Sequence, residues 1–373
     1  LELLSKENKS VLVATLANRS LIELAKKYFE IETANKAVVY KSNLTLEESK
    51  EAKELKPMPK NFLPVAGSIL LTTFYKMTGI AVENITSPVY DYIILEEASQ
   101  CFLGTIAAAK LLGKKVILVG DPIQLPPVVN QVNPGNISSN IDLMLESFTF
   151  YASTINCPKF RLTTTYRFSK NACAQTNTFY ENSLKSKSDI QKENITFSKI
   201  PALYNKAGGS SLFYYDSTNL RSIYDLLLSQ INILLQINPK FEIAILSSTK
   251  KGVKLLRDNL LYKLNDKQDQ ILINTVDGVQ GLTVDFCFYF AFSDGSPAFS
   301  FKLNRFNVAS SRARFCTLIL LDEAYKVVQP YKGLVAEFIS KCELSSDSTV
   351  TSVFVEKGIV EPNSSNGLGL KVI

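Results

Sequence analysis

The segment Gly120–Pro127, with the sequence GDPIQLPP, constrains the fold of this chain more than any other. It follows an apolar run, Lys115–Val119, and an earlier apolar run leads into Glu96 and Glu97. We interpret both runs as β-strands. An acidic pair at the end of one strand and a Gly-Asp-x-x-Gln loop at the end of the next face the same crevice of a parallel sheet, where open α/β sheets bind ligands. The pair suits a magnesium-bound nucleotide, because one carboxylate can hold the metal while the next activates water.

The rest of the chain alternates apolar runs with amphipathic stretches, which is typical of repeated β–α units. Strands are predicted at Val11–Thr15, Ile69–Thr73, Tyr92–Leu95, Val116–Val119, Ile243–Leu246, Phe286–Phe290 and Thr317–Leu321. Helices are predicted at Ser20–Phe29, Ile141–Phe148, Leu220–Ile237, Val253–Leu264 and Leu334–Ser340. Asp216 and Ser217 are suited to cap the third of these helices. The charged, proline-bearing segment Asn43–Asn61 is predicted to be a short surface insertion.

The acidic pair and the Gly120 loop resemble helicase motifs II and III of superfamily 1, in the group that includes the nonsense-mediated-decay RNA helicase. Other segments resemble further motifs in the family's order: Val11–Thr15 with Asn18 is similar to motif Ia, Leu162–Arg167 to motif IV, Asn274–Gly281 to motif V and Asn307–Arg314 to motif VI. One such motif alone is weak, but several in order make chance a poor explanation.

The resemblance implies an α/β fold with two RecA-like domains, each a parallel sheet flanked by helices, as in P-loop NTPases. The first domain, residues 1–165, holds motifs Ia, II and III but lacks its P-loop, and is predicted to be incomplete. The second, residues 166–325, holds motifs IV, V and VI. Residues 326–373 are predicted to form a C-terminal helix and a tail. The composition of that tail from Glu343 to Ile373, rich in Ser, Asn and Gly, favours partial disorder or loose packing.

The resemblance also implies roles in the first domain, with ATP and Mg²⁺ as cofactors. Glu97 is the expected general base and Glu96 the expected Mg²⁺ contact, usually through water. Gln124 is expected to contact the γ-phosphate or its water, and Asp121 to shape the loop. The competing interpretation is an exposed acidic strand end without a role. The family usually has Asp where this chain has Glu96, and the longer side chain changes how the metal is placed.

In the second domain, Arg167 and Arg312 match the arginines of motifs IV and VI, which reach the γ-phosphate in the family. A guanidinium can contribute about a thousandfold or more to phosphoryl transfer by neutralising charge. The remaining matches to nucleotide-contacting positions are Tyr166, Gln280, Gly281 and Arg314. Tyr166 is equally suited to core packing. The family usually carries Glu two residues after the motif V glycine, where this chain has Thr283.

Single-stranded DNA or RNA is the expected partner. Strand ends supply hydroxyl and amide groups that suit phosphate contacts, with aromatic stacking on bases. The expected contacts are Thr15, Asn18, Thr72, Thr73, Ser248, Thr249 and Thr275. For each of them, a helix cap or a turn is an equally good interpretation. The nearby Lys250, Lys251 and Lys254 add positive charge, unless they form a solvated helix face.

Composition narrows the possible chemistry. Histidine is absent, so Ser-His triads, His-bound metals and imidazole bases are excluded, and acid–base chemistry falls to carboxylates. The 6 cysteines contain no Cys-x-x-Cys pair, and their apolar surroundings predict reduced core thiols. The net charge of +6 is compatible with binding a phosphate backbone, although many unrelated enzymes share it. Neither a membrane-spanning run nor a signal segment is found, which predicts an intracellular protein, cytoplasmic or nuclear, without a membrane partner.

The sequence contains no Gly-x-x-x-x-Gly-Lys-Ser/Thr, the loop that holds the β- and γ-phosphates in such motors. We therefore expect a fragment cut just after motif I, with weak ATP affinity and little hydrolysis. The intact protein is expected to be an ATP-dependent helicase or translocase on single strands, moving 5′ to 3′ as the resembled group does. The alternative is a degenerate, non-hydrolysing module that binds nucleic acid or a partner. The choice between DNA and RNA and the oligomeric state stay open at this stage.

Overall fold

The structure, a computed structural model, describes most of the chain. The described residues are 1–31, 37–83, 87–127, 144–145, 147–154, 156–188, 204–264, 270–292, 297–344, 360–362 and 370–372. They form two compact units, Leu1–Lys159 and Phe160–Ile373.

Unit 1 is built on one parallel sheet of six strands. The strands are β1 Val11–Thr15, β2 Val38–Lys41, β3 Lys56–Pro57, β4 Ser68–Thr73, β5 Tyr90–Glu96 and β6 Gly113–Val119. Their order across the sheet is β3-β2-β4-β1-β5-β6. The helices are α1 Glu2–Lys6, α2 Asn18–Phe29, α3 Leu46–Glu51, α4 Phe74–Glu83, α5 Leu103–Leu112 and α6 Ser147–Thr154.

The central strands are continuous apolar runs because both faces of the sheet are covered. In β1, Val11 and Val13 pack on one side with residues of α2, while Leu12 and Ala14 pack on the other with residues of α4 and α5. Successive side chains of a strand point to opposite faces, so one run feeds two cores. This arrangement places the carboxyl ends of β4, β1, β5 and β6 along one edge of the sheet.

The segment Asn43–Asn61 differs from the predicted surface insertion. It contributes helix α3 and the edge strand β3 to unit 1, and Ala52 and Leu55 are buried in the core. Thr45 starts the helix with a capping box, since its hydroxyl accepts from the Glu48 amide and the Glu48 carboxylate accepts from the Thr45 amide. The segment is therefore part of the fold despite its charged composition.

Unit 2 is built on a second parallel sheet. Its strands are β9 Gly209–Tyr215, β10 Ile243–Ser247, β11 Ile271–Thr275, β12 Val284–Ala291, β13 Ala313–Asp322 and β14 Glu343–Leu344, in the order β11-β10-β12-β13-β9-β14. A short ribbon joins β7 Thr164–Thr165 to β8 Lys185–Ser186, and β15 Val360–Pro362 pairs antiparallel with β16 Leu370–Val372. The helices are α7 Lys170–Thr176, α8 Leu220–Ile237, α9 Lys250–Leu264, α10 Pro297–Ser300, α11 Leu303–Ser310 and α12 Gly333–Ser340.

The two sheets confirm the predicted α/β class with parallel sheets flanked by helices. The predicted helix Ile141–Phe148 falls partly outside the described residues, which show a helix from Ser147 to Thr154. Asp216 caps a short 3-10 turn rather than helix α8, whose cap is Asn219. Most of the predicted flexible tail lies outside the described residues. Within them, no helix is long and apolar enough to cross a bilayer.

Of the 6 cysteines, four are buried as predicted, Cys342 is half-buried and one is exposed, contrary to the prediction. The buried cysteines are Cys101, Cys173, Cys287 and Cys316, and burial raises the pKa of each of these thiols. Cys157 is exposed, although its neighbours in sequence are partly apolar.

Asp91 fastens the amino ends of three adjacent strands in unit 1. Its carboxylate accepts from the Ser10 amide at 3.0 Å, from the Ser10 hydroxyl at 2.9 Å and from the Lys114 ammonium at 2.9 Å. The Ser10 amide and the Lys114 ammonium hold the pKa of this carboxyl at about 2, below its ordinary value. The charged form is thus favoured in the folded chain.

We expect Asp91→Asn to destabilise unit 1 at neutral pH and to have progressively less effect in acid. Because the folded pKa is lowered, the stabilisation is present above the unfolded pKa and is lost as pH falls towards about 2. The measurement is the urea midpoint of unit 1, assigned by amide exchange in β1 and β5, for both proteins between neutral and acid pH. A difference that does not depend on pH would contradict this account.

Candidate functional site

The acidic pair lies at the carboxyl end of β5. Glu96 is the last residue of the strand, and Glu97 follows in the left-handed backbone region at φ 57°. A residue other than glycine is uncommon in that region and costs about 1 kcal/mol or more. The strand ends at this turn, and both carboxylates are therefore attached at a tight bend of the backbone. Such strain at a strand end is typical of functional positions.

The environment of Glu96 favours its neutral form. Burial is the main cause that raises the pKa of this carboxyl to about 7, and the neighbouring Glu97 charge adds to it. The Lys27 ammonium on α2 acts in the opposite direction. A bound cation would relieve the repulsion between the two carboxylates, so the pair is prepared for a positive ligand.

The Gly120 loop lies directly beside this pair because β5 and β6 are parallel neighbours, with Glu96 opposite Val119. Asp121 orders the loop. Its carboxylate accepts from the Ile123 amide at 2.9 Å and from the Gln124 side-chain amide at 3.4 Å, and its carbonyl accepts from the Gln124 amide at 3.0 Å. Gln124 is thus held at the sheet edge by the aspartate that precedes it.

Gly120 allows the two motifs to approach each other. A Cβ at this position would lie 2.9 Å from the Ser99 nitrogen and 3.0 Å from the Ala98 nitrogen, in the turn that follows Glu97. Both atoms are backbone, so neither can move aside as a flexible side chain would. The missing side chain therefore keeps the acidic turn and the Gln124 loop in contact.

The two carboxylates fit a nucleotide-borne magnesium ion better than a metal held by protein alone. The described residues contain no cluster of three acidic, Cys or His side chains that could hold a metal. Mg²⁺ is commonly bound through one or two carboxylates, water and substrate phosphates. The carboxylates of Glu96 and Glu97 are of the kind that such a site takes from the protein.

We expect Glu96→Gln to stabilise unit 1 above neutral pH and to leave it unchanged in mild acid. The folded Glu96 binds its proton more tightly than the unfolded residue does, so the free energy of unfolding falls as pH rises from the ordinary value of 4.5 to about 7. The glutamine side chain does not titrate, so the variant does not lose this free energy of unfolding as pH rises. Urea midpoints at about pH 8 and about pH 4.5 measure the difference. Glu47→Gln, at an exposed position of α3, is the control and should show no such dependence on pH.

In unit 2 the motif arginines are engaged by backbone groups. Arg312 is buried and donates to the Val308 carbonyl at 2.9 Å, to the Leu282 carbonyl at 3.1 Å and to the Ser311 hydroxyl at 3.3 Å. Arg167 is half-buried and donates to the Ser311 carbonyl at 3.0 Å. Both guanidiniums are therefore held at the end of α11.

The other predicted nucleotide contacts of unit 2 have different surroundings. Arg314 forms ion pairs with Glu242 at 3.2 Å and Asp285 at 3.1 Å, so its charge is already partly neutralised. Tyr166 is 71% exposed, which excludes the alternative of core packing within unit 2. Gln280 is half-buried, and Gly281 has φ 80°, a conformation that suits glycine.

Most predicted nucleic-acid hydroxyls make hydrogen bonds within their own unit. The Thr73 hydroxyl accepts from the Lys76 amide, that of Thr249 from the Gly252 amide and that of Thr275 from the Gly278 amide. Thr72 shares a hydrogen bond with Ser42 and Ser248 shares one with Tyr289, both at 2.7 Å. These groups act as caps and braces in the chain as described, which is the alternative role that their sequence allows.

Thr15 and Asn18 differ from the others. The Thr15 side chain is buried at the carboxyl end of β1, and its hydroxyl has no hydrogen-bond partner among the described residues. Asn18 is exposed at the first position of α2. A buried polar atom without a partner is costly, so the Thr15 hydroxyl is unlike the hydroxyls that act as caps and braces.

Arg305 is a residue that the sequence motifs did not single out. Its guanidinium forms a two-pronged ion pair with Asp277 of motif V and lies over the Phe299 ring, 4.0 Å from the centroid. The Arg305 side chain is 8% exposed and that of Asp277 is 31% exposed. This pair fastens the motif V turn to helix α11, which leads to Arg312. Its only sequence signal is an arginine in an otherwise buried helix.

We expect Arg305→Met to destabilise unit 2 by about 1–3 kcal/mol, because Asp277 is left without its partner in a poorly solvated site. The double variant Arg305→Met/Asp277→Asn should recover part of this loss. Urea unfolding of wild type, both single variants and the double variant gives the coupling energy. Additive effects would show that the pair contributes nothing as a pair.

Two family models match the chain, and each is described as an AAA domain. One covers residues 5–131 and the other residues 144–324. Both halves of the chain thus carry an AAA domain on a nucleotide-binding P-loop NTPase fold. Together the two matches indicate a helicase of superfamily 1. A search of curated proteins gave no match.

Solved structures of viral helicases are similar to the chain at low identity. One is the arterivirus nonstructural protein 10 helicase in complex with DNA, with 14% identity over 88% of this chain and 59% of that chain, at a TM-score of 0.46. Another is the PRRSV helicase, with 13% identity over 96% of this chain and 69% of that chain, at a TM-score of 0.43. The chain therefore spans less than two thirds of the first protein's length.

Proposed function

We propose that this chain is the core of an ATP-dependent helicase or translocase that acts on single-stranded nucleic acid. The observation that carries the proposal is the joined acidic turn and Gln124 loop at one sheet edge of unit 1, where Gly120 permits backbone contact. The two AAA-domain matches support it independently.

The acidic pair Glu96 and Glu97 and the Gln124 loop have the groups that hydrolysis of a phosphoanhydride requires. Glu97 would accept the proton of the attacking water, and Glu96 would hold the Mg²⁺ that accompanies ATP. Gln124, oriented by Asp121, positions that water or the γ-phosphate. Bound Mg²⁺ supplies charge neutralisation at the phosphates, while these side chains place the water and take its proton.

Residues of unit 2 take the roles that the motif match implies. Arg167 and Arg312 would contact the γ-phosphate, and Arg314, Tyr166, Gln280 and Gly281 would contact the nucleotide. Arg167 and Arg312 have neutral backbone and hydroxyl groups among their partners, and such groups are weaker partners for a guanidinium than phosphate.

We propose further that a P-loop outside these 373 residues completes the site. The strand that leads into this loop would pair with β6. Among the described strands, β6 pairs with β5 alone. Its apolar residues Ile117 and Val119 are 40% and 43% exposed, which is unusual in a parallel sheet. An open, apolar strand edge is a template for another strand.

The direction of movement, 5′ to 3′, is proposed from the resemblance of the motifs. A second function is a non-hydrolysing module that binds nucleic acid or a partner. The burial of Arg312 and its three hydrogen bonds within unit 2 favour this alternative, because a phosphate-binding arginine must first leave them.

We expect Glu97→Gln to reduce nucleic-acid-stimulated ATP hydrolysis by about a hundredfold or more while ATP binding is retained, because only the proton acceptor is lost. The assay uses the longest natural form of the protein that contains a P-loop. Glu47→Gln is the matched control and should hydrolyse ATP at the wild-type rate. Equal rates for Glu97→Gln and wild type would contradict the helicase proposal and favour the binding module.

A further inference from the structure

Tyr75 lies at the same sheet edge as the predicted nucleic-acid contacts of unit 1. Strand β4 ends at Thr73, which pairs in register with Thr15 at the end of β1. Helix α4 begins at the next residue, Phe74, and Tyr75 is therefore in its first turn. The tyrosine follows directly on the two strand ends that carry Thr73 and Thr15.

The Tyr75 ring is exposed where its neighbours are buried. It is 74% exposed, whereas Phe74 and Met77 on the same helix are 4% and 0% exposed. Among the described residues, no aromatic ring or cation packs on it. Single exposed apolar residues are common at protein surfaces, so the exposure gains meaning only from the chemistry around it.

The surroundings of Tyr75 suit a phosphate backbone. Lys76 is exposed beside it, and the buried Thr15 hydroxyl has no hydrogen-bond partner within the described part of the chain. The first turns of α2 and α4 contain no acidic residue, so the partial positive charge at these helix ends is not neutralised.

Two of the three carboxylates on helix α3, those of Glu48 and Glu51, are already paired. Glu48 forms an ion pair with Lys41 at 3.1 Å, and Glu51 forms pairs with Arg19 and Lys26 at 2.9 Å. Their negative charge is therefore largely balanced by neighbouring cations.

The position of Tyr75 also separates it from the acidic pair. The strand order β4-β1-β5 puts Thr73 two strands away from Glu96, which corresponds to about 10 Å at the usual strand spacing. A strand of nucleic acid at Tyr75 can thus lie at this edge without approaching the carboxylates that repel phosphate.

We propose that Tyr75 is a stacking platform for a base of single-stranded nucleic acid, with Lys76 and the Thr15 hydroxyl contacting the adjoining backbone. Stacking is insensitive to sequence, because every base offers a flat face. The proposal rests on the proposed nucleic-acid function and specifies where unit 1 holds the unpaired strand.

The absence of tryptophan from the chain allows a direct test. Tyr75→Trp introduces a single indole, whose fluorescence a stacked base should quench when a short oligothymidylate is added. An abasic strand of the same length should bind through its phosphates and cause little quenching. The matched control is Tyr262→Trp, because Tyr262 is also exposed, at 64%, but lies near the far end of α9 in unit 2.

Affinity for a labelled oligothymidylate, measured by anisotropy, provides the second readout. Tyr75→Ala should weaken binding about fivefold or more, while Tyr75→Phe retains the stacking surface and binds like wild type. The stacking proposal is overturned if Tyr75→Ala binds as tightly as wild type and Tyr75→Trp shows no quenching. In that case wild-type binding still supports the nucleic-acid function. If wild type itself does not bind, the proposed nucleic-acid function fails, and the role of Tyr75 fails with it.

Discussion

The parallel pairing of β5 with β6 determines where the chemistry of unit 1 can lie. The register runs from Tyr90 opposite Gly113 to Glu96 opposite Val119, so both strands end together. Residues separated in sequence are thereby placed at one edge, and the missing side chain at Gly120 closes the remaining gap. The backbone turn at Glu97 depends on the same contact, because its following residues Ala98 and Ser99 are the ones that meet Gly120. A larger residue there would separate the acidic turn from the Gln124 loop, even if both sequences were otherwise unchanged.

Much of the fold is predictable because the central strands are long apolar runs buried on both faces. Val11–Thr15 is predicted with its exact bounds, since no polar residue interrupts the run. β2 is not predicted, because it is short and ends in Lys41, a residue that argues against a core position. In the structure the Lys41 side chain is fully buried, with its ammonium paired to Glu48 and donating to the Asn43 carbonyl. β9 is missed because it begins with Gly-Ser-Ser, a sequence typical of a loop.

The location of the acidic site is predictable from strand ends, but the state of its polar groups is not. Thr249 caps α9 because its hydroxyl lies close enough to accept from the Gly252 amide. The same sequence could equally place this hydroxyl against a ligand, so sequence alone does not decide between the two roles. The Arg305–Asp277 pair depends on the packing of α11 against the turn after β11, two elements that are distant in sequence. Such pairs become visible only when the tertiary structure brings both partners together. The Thr15 hydroxyl, which has no partner among the residues that the structure describes, is a similar case, because its neighbours β4 and β5 come from later parts of the chain.

Helix α11 connects the groups of unit 2 that the proposed mechanism uses. Near its amino end, Arg305 holds the motif V turn through Asp277. At its carboxyl end, Val308 and Ser311 provide two of the acceptors of Arg312, and the Ser311 carbonyl also accepts from Arg167. One short helix therefore supports the motif V turn and acceptors of both arginines. Because packed elements shift as units rather than deform continuously, a displacement of α11 moves these acceptors together. Motif V and the two arginines are thus mechanically linked through a single helix, without any direct contact between Asp277 and either arginine being required.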